Sequence, residues 1–236
     1  MQKKKALMSI VSLALVGAVA VGGTLAYLSS NSNKLTNTFT VGTGYQGQGL
    51  YLDETDKSGT QNPTEISSTS RTEEGVAYTD LIPGNTVVKD PTFHLTAGSV
   101  NSYVFAQVTG IDELITKGFI VSDTAITDAV DPTDPDFAAE SNLGEKWTKV
   151  DGTDGFDGLY VYTEQVDAST STADVALDPL FQHVKFSSFC GNEYIKDDSD
   201  TAVDLNDIVI KGVAVQVADS TDSAAAQAVA EAKLAD

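Results

Sequence analysis

The chain has 236 residues with 14 Lys and Arg against 34 Asp and Glu, a formal charge of −20 at pH 7, and this excludes the class of nucleic-acid binders that neutralise phosphates with clustered cations. An acidic balance of that size leaves a chain receptive to divalent cations and basic partners. Cys190 is the single cysteine, so no intramolecular disulfide is available and stability has to come from packing.

Lys3, Lys4 and Lys5 precede an uncharged apolar run from Ala6 to Leu28. A basic start, an apolar stretch and the small residues Thr24 and Ala26 just before Tyr27 form the pattern that a secretory signal peptidase reads. Residues 1–26 are therefore expected to be a signal peptide cut between Ala26 and Tyr27. A cut after Ala20, using Ala18 and Ala20, is the weaker site, and a retained membrane anchor of roughly 20 residues is the alternative. Loss of the three lysines would take 14 basic residues to 11 and the formal charge to −23.

Residues 27–41 form an amino-terminal strand segment. Leu35, Asn37, Phe39 and Val41 share one face and Lys34, Thr36, Thr38 and Thr40 the other, the period-two pattern of a half-buried strand. Residues 42–236 then alternate through further runs, Thr86 to Thr96, Val100 to Val108, Leu159 to Val166 and Asp207 to Ala218, each bounded by turn formers. Short helices are expected at Asp112 to Lys117 and at Asp222 to Leu234, the latter behind the candidate caps Ser220, Thr221 and Asp222. The sum is a mainly β fold, an antiparallel β-sandwich with a few short helices, one near the C-terminus. Two polar stretches, about 53–75 and 123–158, read as loop-rich excursions outside the core. Neither a solenoid repeat nor a coiled-coil heptad is present.

Chemistry is sparse in the sequence. His94 lies in a strand pattern and His183 follows Phe181 and Gln182, with no His-Glu-x-x-His run to build a zinc site. No Gly-x-Ser-x-Gly elbow or phosphate-binding glycine loop occurs, so no catalytic residue is assigned. Cys190, near Phe186 and Phe189, reads as a small buried hydrophobe. The acidic runs are the candidate metal ligands: Asp131, Asp134 and Asp136, then Asp151, Asp154 and Asp157, offer closely spaced oxygens suited to weak calcium binding, although not in EF-hand order.

Three segments resemble the TasA/camelysin family of exported proteins of Gram-positive bacteria, which are processed by a SipW-type signal peptidase. Gly22-Gly23-Thr24-Leu25-Ala26-Tyr27 and Asn37-Thr38-Phe39-Thr40-Val41-Gly42 are similar to the family's cleavage region and the segment after it. Leu81-Ile82-Pro83-Gly84, with Val88-Lys89-Asp90, Phe93, Ser99, Tyr103 and Val104, is similar to its Pro-Gly turn and paired strands, and Ile208 to Gln216 with the Ala-rich helix to its closing strand. The resemblance implies a jelly-roll-like sandwich, secreted, assembling into fibres of a biofilm matrix or cell-surface layer. Its partners would be copies of itself in a head-to-tail homopolymer, the signal peptidase during export, and other matrix or cell-wall components. Some relatives are described as metal-dependent proteases, so a camelysin-like endopeptidase is one alternative and a non-polymerising surface adhesin another. Assembly by addition of the amino-terminal strand to a neighbour's sheet edge would make Leu35, Phe39 and Val41 the inserted side chains.

Overall fold

Pairing of alternating segments through their backbones leaves each strand one face for the interior and one for a second layer. A computed structural model describes residues 29–32, 45–56, 70–78, 81–126, 130–150, 152–195, 205, 207–217 and 222–235. In chain order the elements are β1 (Ser29–Ser32), β2 (Leu50–Thr55), β3 (Arg71–Thr72), β4 (Thr86–Val88), β5 (Thr92–Leu95), β6 (Ser102–Thr109), α1 (Ile111–Thr116), β7 (Phe119–Ser122), a 3-10 helix (Phe137–Glu140), β8 (Trp147–Lys149), β9 (Gly158–Tyr162), β10 (Val175–Ala176), β11 (His183–Phe186), α2 (Asn192–Ile195), β12 (Val209–Gln216) and α3 (Ser223–Leu234).

A five-stranded sheet in the order β1-β12-β6-β9-β8 faces a four-stranded sheet, β10-β5-β2-β3, and a three-stranded sheet, β4-β11-β7. Every pairing between these strands is antiparallel. Val104, Ala106, Val108 and Ala214 of the first sheet meet Leu50, Phe93 and Leu95 of the second and Val121 and Val184 of the third in one core. The expected mainly β, antiparallel sandwich with short helices is therefore the observed fold.

The central strands of the five-stranded sheet are buried on both faces. Phe105, Val213 and Val215 point away from the main core and pack under Ala226, Ala230 and Leu234 of α3, which recur every four residues and so share one helix face. Three small or slender side chains there let α3 lie close on the sheet. Its first turn is capped by Asp222, whose carboxylate accepts the Ala225 N–H at 2.8 Å. Asp222 is thus the cap among the three candidates.

The run from Thr86 to Thr96 is two strands rather than one, because Pro91 has no N–H for a ladder; the chain changes sheets through Lys89, Asp90 and Pro91. The two excursions also need correcting. Residues 53–75 begin inside β2, where Glu54 and Thr55 are buried, and include β3. Residues 123–158 contain β8 and the buried Phe137 and Trp147. Trp147 lies with its ring 5.7 Å from Phe93 and 5.1 Å from Tyr162, and its indole N–H donates to the Asp178 carbonyl at 2.9 Å. The large indole of Trp147 anchors this acidic, proline-containing stretch to the core through its own area.

Candidate functional site

The amino-terminal strand is the first feature. β1 is a four-residue edge strand, Ser-Ser-Asn-Ser, whose register against β12 runs from Ser29 opposite Val215 to Ser32 opposite Gly212. β12 is buried from Gly212 to Val215, where β1 covers it, and only half-buried over Val209, Ile210 and Lys211 beyond β1's last pair. On its other side β12 is paired with β6 along its whole length. One backbone edge of Val209–Lys211 therefore has no strand against it among the described residues. The expected inserted side chains Leu35, Phe39 and Val41, and the cleavage-site residues Thr24, Ala26 and Tyr27, lie outside the described residues.

Beside that edge is a knot of charge built by period-two alternation in β2. Asp53 points to one face, where Arg71 Nε donates to it at 2.7 Å and His94 Nε2 lies 2.9 Å away. Arg71 Nη1 also donates to Asp90 at 2.9 Å. Asp90 in turn accepts the Thr55 N–H at 2.7 Å and the Thr55 hydroxyl at 2.8 Å. His94 is stacked on Tyr51 with ring centroids 4.8 Å apart. Burial alone would raise the Asp53 pKa, but hydrogen bonds and charge from His94 and Arg71 outweigh it and hold the carboxyl below its ordinary range.

Glu54 faces the other way. It takes the Lys89 ammonium at 2.7 Å and the Val76 N–H at 2.9 Å, and the same ammonium lies 5.9 Å from the Tyr78 ring centroid. On this side a cleft of about 570 Å³ opens between β2 and the start of β12. Leu52, Val87, Leu114, Phe119, Val184 and Ile208 line it, and Glu73, Glu74 and Asp207 stand at its rim. Those three rim residues are exposed, and their carboxylates make no hydrogen bond or ion pair among the described residues.

The acidic loops are occupied by their own chain. Asp157 accepts the N–H groups of Gly110, Ile111 and Asp112 at 2.9, 2.8 and 3.2 Å, while Asp112 accepts those of Phe156 and Asp157 at 2.6 and 3.0 Å. This reciprocal clasp starts α1 from Gly110, whose φ of +95° and whose missing Cβ, which would lie 2.3 Å from the Asp207 carbonyl, make glycine necessary. The cation inside the 151–157 loop is the Lys149 ammonium, which donates to the carbonyls of Asp154, Gly155 and Asp157 at 3.2, 2.9 and 2.6 Å. Asp131 and Asp134 accept from Thr133 and Asp136 within their own turns, and Asp136 is exposed at the head of the 3-10 helix. Asp151 lies outside the described residues. Among the described residues no group of three or more His, Cys, Asp or Glu converges as a metal site.

The histidines are apart in role. His94 belongs to the Asp53 knot, whereas His183 sits on β11 opposite Val88 and Ser122. Its Nδ1 is buried without a hydrogen-bond partner among the described residues, and burial lowers its pKa, with Asp123 and Asp90 pulling the other way. Cys190 is buried, and desolvation pushes its thiol up to about 11. Gly118 makes room for it, since a Cβ there would come 2.2 Å from the sulfur.

Arg71 and Glu54 are not singled out in the sequence, and Lys89 and Asp90 enter only within the Val88-Lys89-Asp90 segment, with no role assigned. Glu54 and Arg71 are charges at buried or half-buried strand positions, which the pairing of β2 with β3 brings into line, whereas Lys89 and Asp90 lie in the connection between β4 and β5. No described helix is long and apolar enough to cross a membrane. Comparison with protein-family models, with curated proteins and with solved structures found no match.

Proposed function

We propose that the protein is a secreted structural subunit that assembles head to tail into extracellular fibres of a biofilm matrix or cell-surface layer, each copy donating its amino-terminal strand to the next. The observation that carries this reading is the pairing of β1 with β12. β1 is short, polar and at a sheet edge, so its attachment rests on a backbone ladder that an identical segment of another copy can supply equally well. Exchange of an identical element between protomers needs no new interface chemistry, and an uncovered edge such as Val209–Lys211 is a template for strand addition. Twelve residues separate Ser32 from Tyr45, a contour length of up to about 40 Å, which is enough to reach a neighbouring subunit.

Leu35, Phe39 and Val41 are the apolar side chains the donated strand would bury, each contributing on the order of 1.5–3 kcal/mol before ordering costs. Sedimentation and negative-stain imaging of the secreted protein test the proposal. Polymers are expected from the intact mature chain, and neither a variant lacking residues 27–32 nor the double variant Phe39→Asp, Val41→Asp should polymerise. Replacing Thr36, Thr38 and Thr40 by Ser should leave assembly intact. A secreted chain that stays monomeric at every concentration refutes the fibre reading. Chelator-sensitive casein cleavage lost in a His94→Gln, His183→Gln variant would favour the endopeptidase instead.

A further inference from the structure

We propose that the acid-rimmed cleft between β2 and β12 is the seat of a lysine, Lys34, carried by the strand that a second copy lays along β12. This rests on the strand-donation reading and adds the chemistry that selects the strand. Residues paired in β1 and β12 keep a fixed register, with Ser30 opposite Ala214 and Ser32 opposite Gly212. A donated strand continuing that register past Ser32 brings residue 33 opposite Lys211, Lys34 opposite Ile210 and Leu35 opposite Val209. Directly opposed residues of an antiparallel pair lie on the same face of the sheet. Ala214 and Ile210 face the main core, and Ile210 lines the cleft, so Lys34 is the side chain directed there.

The cleft matches a lysine in both of its parts. Its apolar walls suit the four-carbon stem, and a lysine buries that stem while its ammonium reaches polar surroundings. At the rim the exposed carboxylates of Glu73, Glu74 and Asp207 are without a cation among the described residues. Lys89, which also lines the cleft, already shows the arrangement, its ammonium on Glu54 and against the Tyr78 ring. Charge also explains why selection is needed. In a chain of net charge −20 with 14 basic residues, most segments approaching this rim would be repelled, and a strand that brings its own lysine is distinguished from them. The rim pairs are exposed, so they govern encounter and its salt dependence rather than supplying most of the affinity.

A synthetic peptide spanning residues 29–41, titrated onto the mature protein, tests this separately from fibre formation. The peptide is expected to bind, to bind at least tenfold more weakly as its Lys34→Glu variant, and to weaken as salt is raised. The protein variant Glu73→Gln, Glu74→Gln, which removes only exposed charges, should lose affinity for the native peptide and lose the discrimination against the Lys34→Glu peptide. Equal binding of the native and Lys34→Glu peptides, equal binding of a scrambled peptide of the same composition, or no binding at all overturns the proposal. Polymers that form from a full-length Lys34→Glu variant at the wild-type concentration would overturn it too while leaving strand donation standing. Absence of polymers from the wild type would instead remove the fibre reading.

Discussion

Replacing Arg71 by Met keeps the aliphatic stem and removes the cation that bridges Asp53 and Asp90. The side chains are 25 % exposed for Arg71, 11 % for Asp53 and 6 % for Asp90, so two nearly buried carboxylates would be left facing each other. Removing one partner of a buried ion pair costs about 3–5 kcal/mol. Partial exposure of the guanidinium lowers that figure, and His94 and Thr55 still bind the carboxylates, so we expect about 2–3 kcal/mol. For a chain of this size that is a fall in Tm of about 5–10 °C. The pH dependence has a definite sign. Asp53 titrates below its ordinary range when folded, so its contribution is present above about pH 4 and is lost as the pH falls through the folded pKa. The gap between variant and wild type should accordingly be full at neutral pH and narrow below about pH 4, where protonation removes the uncompensated charge. Thermal melts and urea titrations at both pH values read it. A fall in Tm of less than about 2 °C at neutral pH would refute the reasoning.

His183 is harder to protonate in the folded state than in the unfolded one, so stability should decline as pH drops from about 6.5 toward the folded pKa, and His183→Gln should flatten that part of the urea-midpoint profile; an unchanged slope would count against it. Asp157→Ala removes the acceptor of three N–H groups at the start of α1 and should cost about 1–2 kcal/mol, read by urea titration and by faster hydrogen exchange of Ile111 and Asp112. Cys190 should resist iodoacetamide at neutral pH in the native protein and react in urea, because its thiol is buried and raised to about 11. Millimolar calcium should not raise Tm through the 152–157 loop, whose carbonyls already hold the Lys149 ammonium; a saturable rise that survives Asp154→Asn would assign a cation to the Asp131–Asp136 turns.

Alternation made the antiparallel sandwich legible in the sequence. β6 and β12 were readable because they are long, β-branched and continuous, and α3 because an acidic cap precedes a run of alanines. β10 and β3, two residues each, carry no period at all, and β8 is signalled only by Trp147. The charged knot was invisible for a different reason. Arg71 and Asp90 are nineteen residues apart in the chain, and only the pairing of β2 with β5 and β3 brings them together. The aspartates of 151–157 are candidate cation ligands on their spacing alone, which is visible in a sequence. That Asp157 serves backbone N–H groups of α1 and that Lys149 already sits among the loop carbonyls depends on tertiary neighbours.

The central claim, that the amino-terminal strand lies along β12 of another copy, is tested most directly by cross-linking their register. Ser30 and Ala214 are directly opposed, within the Cα separations a disulfide spans across antiparallel strands. Ser30→Cys and Ala214→Cys would be introduced together in a Cys190→Ser background, the secreted protein assembled, oxidised and run on a denaturing, non-reducing gel. Strand donation predicts a ladder of covalent multimers that collapses to monomer on reduction. Fibres that dissolve into monomers, each closed by its own internal disulfide, would contradict it.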